Sequence, residues 1–101
     1  MENQYKIEYT PISLNDFKEI IDYIMLDSPI AANKLLDKIE ESIANLALFP
    51  NRCPYFEDAL SEKRYRYLTI GNYNVFYAVL DDTVQIVRIL HGKRQIEPLL
   101  Q

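Results

Sequence analysis

The cationic side chains of this 101-residue chain are few and bunched. Lys63, Arg64 and Arg66 stand together, and Arg88, Lys93 and Arg94 form a second group around His91. A guanidinium can grip a phosphate or carboxylate through two parallel hydrogen bonds, and an ammonium can meet it as a point charge. An imidazole titrates near neutral pH and can move a proton as general acid or base. Lys63, Arg64, Lys93 and Arg94 therefore read as an anion-facing patch, with a solvated rim as the plain alternative. Cys53 is the single cysteine, so no internal disulfide can form, which suits a reducing compartment. With only His91 to join it, and that far away in sequence, no zinc site of the Cys/His kind is expected. Nor does the sequence set a histidine or asparagine beside Cys53 to activate it as a nucleophile. We expect no metal and no cofactor.

Charge limits what the basic groups can do. The net charge is −4, and it is uneven. Residues 1–50 hold four basic and nine acidic side chains, whereas residues 51–101 hold seven and six. A local patch in the second half can attract an anion, but the field of the whole chain opposes approach to a phosphate backbone. The opening MENQYKIEY has no apolar signal-like region, and no run approaches the roughly 18–20 apolar residues of a membrane span. The expectation is a cytoplasmic protein with no membrane partner.

These groups must be positioned by something, and the hydrophobic pattern says what. Residues 1–101 fit one domain, and 49% hydrophobic residues suffice for a core without staples. Tyr5 to Tyr9 alternates apolar and charged residues, as a half-buried strand does. Ser13 reads as a helix N-cap with Asp16 near the positive end, and Leu14, Phe17, Ile20, Ile21, Ile24 and Met25 recur at helical spacing to about Asp27. Ser28-Pro29 repeats a start signal, a capping hydroxyl before a proline at the first helical position. Ala32, Leu35, Leu36, Ile39, Ile43 and Leu46 then mark a second helix, which Pro50 stops. Two such helices with almost no loop should form an antiparallel hairpin. Asn51 to about Glu62 reads as loop. Arg64–Ile70, Tyr73–Leu80 and Val84–Leu90, joined by Gly71-Asn72 and Asp81-Asp82, read as an antiparallel meander. The expected class is α+β, order β-α-α-β-β-β, with the hairpin on one face of an antiparallel sheet. By alternation Arg88 shares a face with Val84 and Ile86. The arginines are expected on the sheet face away from the helices, because burying an unpaired charge is costly. A tail from His91 to Gln101 could be pinned by Leu99 and Leu100.

Two stretches carry a family resemblance. SPIAANKLLDKIEESIANLALFPNRCPYFED (28–58) is similar to the second helix of RelE/ParE toxins, with its Leu-x-x-Phe-Pro ending. RYRYLTIGNYNVFYAVLDDTVQIVRILHGKR (64–94) resembles their sheet, with an early Arg, an Asn-Tyr-x-Val-x-Tyr strand and a closing Ile-x-Arg-x-Leu-His-Gly-x-Arg. The resemblance implies the toxin half of a bacterial type II toxin–antitoxin pair, held as a hetero-oligomer by a cognate antitoxin whose disordered tail folds over it. ParE-like members inhibit DNA gyrase, and RelE-like members cleave messenger RNA on the ribosome. The Ser-Pro-x-Ala-Ala opening and the Phe-Pro ending favour the ParE branch. Under the ribonuclease alternative, Arg66 and Arg88 would meet the scissile phosphate and His91 would protonate the leaving oxygen, without metal. Under the other, Arg66 is a structural arginine, Arg88 a surface ion pair, and His91 a satisfied strand-end residue. A remnant that only binds its antitoxin is the third possibility. The eight tyrosines lie mostly in predicted strands, where packing is their default role.

Overall fold

A computed structural model describes residues 4–56 and 65–92. The elements run β1 (Lys6–Tyr9), α1 (Pro11–Asp27), α2 (Pro29–Asn45), a 3₁₀ turn (Pro50–Arg52), β2 (Tyr55–Phe56), β3 (Tyr65–Ile70), β4 (Tyr73–Leu80) and β5 (Thr83–His91). The strand order is β1-β5-β4-β3-β2. The expected helical hairpin and meander are both present. Neither helix is long and apolar enough to cross a membrane.

The sheet is mixed, not antiparallel throughout. β1 lies parallel to β5, with Ile7 opposite Val84 and Tyr9 opposite Ile86, while β2 to β5 pair antiparallel. Parallel neighbours need a long connection between them, and the hairpin plus meander supplies it. β2 was hidden in the sequence because two residues after Pro54 are too few to show alternation.

The first helix is capped by Thr10, three residues before the expected Ser13. Thr10 Oγ1 accepts from the Ser13 amide at 3.1 Å, and Pro11 fills the first helical position. Proline suits that position because its φ is already helical and its missing N–H is not needed. Ser13 is instead fully buried, and its hydroxyl donates to the Thr10 carbonyl at 2.8 Å. The second start reads as expected: Ser28 caps α2 by accepting from the Ala31 amide.

The main core lies between the hairpin and one sheet face. Ile39 and Ile43 of α2, with Leu46 just after it, meet Ile70, Val75, Tyr77, Val84, Ile86 and Ile89, with Phe17 and Ile20 of α1 packed at the side. Of the expected α1 stripe, Phe17 and Ile20 pack against this core. Leu14 and Met25 are exposed, as are Ile12, Tyr23, Leu26 and Ile30. The hairpin therefore presents apolar surface on the side the sheet does not cover. The far sheet face has its own cluster, Phe76 and Leu90 buried beneath Phe56, Tyr65 and Tyr67. Its rings meet edge-on or tilted, with centroids 5.7–6.4 Å apart, favourable aromatic geometry.

Thr10 Oγ1 also donates to the Val87 carbonyl at 3.0 Å, tying the cap of α1 to β5. Thr10→Val should therefore cost about 2 kcal/mol in urea unfolding, against about 1 for Ser28→Ala, whose cap serves α2 alone.

Candidate functional site

Arg66 sits one residue into β3 and alternates with Leu68 and Ile70, which face the helical side of the sheet. This departs from the expectation that the arginines share the far face. The reason lies in the segment after α2, which brings carbonyl groups to the guanidinium. NH1 donates to the Cys53 carbonyl at 2.6 Å and to the Asn51 carbonyl at 3.1 Å. NH2 donates to the Tyr55 hydroxyl at 3.0 Å, and the guanidinium lies 4.0 Å over the Tyr55 ring. No acidic residue of the hairpin is among its described partners. Neutral acceptors and a π-face hold the charge in place.

Arg88 is placed by a bulge. Phe76 pairs with Arg88 but Tyr77 pairs with Ile86, so Val87 is an extra residue and the alternation resets. Val84, Ile86 and Ile89 thus share the core face, and Arg88 stands with Phe76 and Leu90 instead of with Val84 and Ile86 as strict alternation required. Its side chain then meets Asp16 of α1. Nε donates to Oδ2 at 2.7 Å and NH2 to Oδ1 at 2.9 Å, a bidentate pair. The two side chains are only 17% and 11% exposed, so little solvent screens them. The Asp16 hydrogen bond raises the Arg88 pKa above its ordinary value, against the opposing effect of burial.

His91, at the exposed end of β5, packs edge-on against Tyr73 with ring centroids 5.0 Å apart. Burial raises the Tyr73 phenol above its usual pKa, with Tyr23 of α1 adding to the effect.

The three candidate catalytic residues are not gathered at one point. Arg66 and Arg88 are separated by the whole width of β4, about 10 Å between backbones, and point to opposite faces. Along β3 and β4, the Arg66–Tyr77 rung lies four residues from the Ile70–Tyr73 rung that His91 continues, about 13 Å away. Lys63, Arg64, Lys93 and Arg94, the expected patch, lie outside the described residues, as do Leu99 and Leu100. Sequence reasoning missed Tyr55 and Asp16 as the partners of the two arginines. Asp16 could have been found, since it is the acidic residue nearest the α1 start, but its distance of 72 positions from Arg88 hides the pairing.

Tyr77 closes the core beneath Arg66. Its hydroxyl donates to the Pro50 carbonyl at 2.6 Å. Burial is the main reason its phenol is held well above 10.0, with Cys53 adding and Arg66 and Arg52 opposing.

Asp16 serves both the guanidinium and the Ile89 amide, which donates to Oδ2 at 3.1 Å. Asp16→Ala should cost about 3 kcal/mol, since it leaves a poorly solvated cation and a backbone donor unmatched. Adding Arg88→Met should recover part of that loss in a double-mutant cycle followed by urea unfolding. For Tyr77, a folded-state pKa above the unfolded one gives stabilisation that is whole below pH 10.0 and drains away as pH climbs past it. Tyr77→Phe should therefore be less stable at neutral pH yet decline less steeply in alkaline unfolding titrations.

Known proteins share both this arrangement and this sequence. A family model described as the ParE toxin of the type II toxin–antitoxin system parDE matches residues 7–96. The Caulobacter vibrioides protein named Toxin RelE2 is 32% identical over 89 residues, 88% of this chain and 97% of that one. A chain from the chromosomal ParDE toxin–antitoxin system of P. aeruginosa superposes with a TM-score of 0.72 at 22% identity, covering 89% of this chain and 98% of that one. A chain of the RelBE2 toxin–antitoxin complex of Mycobacterium tuberculosis gives 0.62 at 19% identity, covering 90% and 94%. At such identities the two structures speak to the fold alone, but the family match spans most of the chain. This protein belongs to the ParE toxin family, within the RelE/ParE superfamily of type II toxin–antitoxin toxins.

Proposed function

We propose that this chain is a ParE-like toxin that acts by binding DNA gyrase, without cleaving RNA, and that a cognate antitoxin silences it. The observation that carries the reading is the separation of Arg66, Arg88 and His91. Metal-free cleavage of RNA needs a cation at the phosphate and a proton donor at the leaving oxygen, both within hydrogen-bond reach of one scissile bond. Here Arg88 is committed to Asp16, and His91 lies rungs away from Arg66. Charge supports the same side. A net charge of −4 is ill matched to docking among ribosomal phosphates.

The antitoxin is supported by a different feature. Tyr23, Leu26 and Ile30 are 76%, 88% and 70% exposed near the junction of α1 and α2, a group of apolar side chains of the kind that can form a contact surface for a partner. Two solved structures of matching fold come from a ParDE system and a RelBE2 complex.

Induced expression without an antitoxin should arrest growth, and co-expression of a cognate antitoxin should relieve it. Purified chain should inhibit gyrase supercoiling and leave messages intact on translating ribosomes. Ribosome-dependent cleavage that drops by orders of magnitude in Arg66→Ala would instead establish the RelE-like alternative. Full growth under induction would identify a remnant that only binds its antitoxin.

A further inference from the structure

Asp27, the last residue of α1, stands where its own helix disfavours it. The C-terminal end of a helix carries negative partial charge, which suits a cation and opposes a carboxylate. No basic residue lies in that last turn, and no described cation pairs with Asp27. Asp22, about one turn earlier, is by contrast tied to Lys18 at 2.7 Å. A local rule broken without compensation marks a place where something other than the fold sets the residue.

The surroundings say what. Asp27 lines a depression of about 370 Å³ together with Tyr23, Ile24 and Leu26. Tyr23 and Leu26 are strongly exposed, and Ile30 in the first turn of α2 extends the apolar surface. A ring, aliphatic walls and an unpaired carboxylate fit a side chain with an apolar stem and a cationic head, an arginine or a lysine. The field around the depression has the same sign preference. Exposed carboxylates on the two helices outnumber exposed lysines. A second copy of this chain would bring an equally acidic surface against this one, and nucleic acid a run of phosphates, so like charge opposes both. A basic protein surface is attracted by the depression and by the field alike. An enzyme that holds duplex DNA must carry such surfaces to neutralise phosphate.

We propose that the tip of the hairpin is the surface by which this toxin docks on DNA gyrase, the depression at Tyr23, Leu26 and Asp27 receiving an arginine or lysine side chain from a basic region of the enzyme. The inference rests on the reading that gyrase is the target. An antitoxin that covers the tip then silences the toxin by occlusion.

The test compares the full chain with three single variants at exposed positions in a gyrase supercoiling assay: Leu26→Lys, Asp27→Lys and Asp37→Lys. The last changes charge by as much as Asp27→Lys, but about two turns into α2. Far-UV circular dichroism should be unchanged in all three, since none of these side chains is buried and a lysine suits the end of α1. Leu26→Lys and Asp27→Lys should each raise the concentration for half-inhibition at least about tenfold, by repelling the incoming cation or removing its partner. Asp37→Lys should stay within about twofold of the unaltered chain, being screened from the tip. Equal inhibition by all four proteins overturns the proposal and leaves the gyrase reading standing. A loss in Asp37→Lys as large as in Asp27→Lys overturns it too, because overall charge alone then sets the response. So do tip variants that inhibit gyrase fully yet escape relief by the antitoxin, which assigns the tip to the antitoxin only. An unaltered chain that leaves supercoiling untouched removes the gyrase reading, and the proposal with it.

Discussion

β5 is longer than its parallel neighbour, and the molecule is organised around that mismatch. β1 ends at Tyr9 opposite Ile86, yet β5 continues to His91. The groups beyond Ile86 on that side would be left as a raw strand edge, costly if buried and adhesive if exposed. Side chains from the start of α1 finish the ladder instead. Thr10 donates to the Val87 carbonyl, and Asp16 accepts from the Ile89 amide. The same Asp16 neutralises Arg88, which the bulge at Val87 has turned toward that edge. Cap, edge and ion pair are thus one device. It fixes the angle at which α1 leaves the sheet and so where the hairpin lies over the core.

This device explains why the fold was more legible than the site. Hairpin, meander and turns follow from local signals: period 3.6 in Phe17, Ile20 and Ile24, period 2 in the strands, and Gly71 and Asp81 at positive φ in two-residue turns. Such signals act over a few residues and survive in the sequence. The phase of β5 is another matter. A bulge is one inserted residue, and Val87 has the same apolar character as Ile86 and Ile89, so Val-Gln-Ile-Val-Arg-Ile-Leu does not mark which residue is the extra one. The faces of Arg88 and Ile89 depend on it. Likewise Arg66 was read by strand position, whereas its surroundings are decided by carbonyls of a segment without periodicity. The Thr10 cap was readable, since Thr-Pro is a start signal of the same kind as Ser28-Pro29.

The two arginines also show how a small acidic protein handles cations on a sheet. Arg88 sits where water is scarce, and its charge is met by a full carboxylate with two matched hydrogen bonds. Arg66 sits at the margin of the same sheet and is held by dipoles and a ring, which orient a guanidinium without cancelling its charge. Neutral acceptors therefore do something a carboxylate would undo. They fix the group's position without a countercharge among its described partners.

The uncovered surface is consistent with that division. On the sheet face away from the hairpin, Phe76 and Leu90 are enclosed by Phe56, Tyr65 and Tyr67, so that side is a second packed layer and not a bare plate of arginines. Among the described residues, exposed apolar side chains include Tyr23, Leu26 and Ile30 at the tip of the hairpin and Leu80 at the end of β4. Apolar groups on separate elements, the helices and β4, can be reached in turn by a partner that is long and pliable. Ordering such a chain costs conformational entropy, which several small apolar contacts and one well-aimed charge pair can offset over its length. The geometry of the toxin in this way constrains the physical character of whatever binds it.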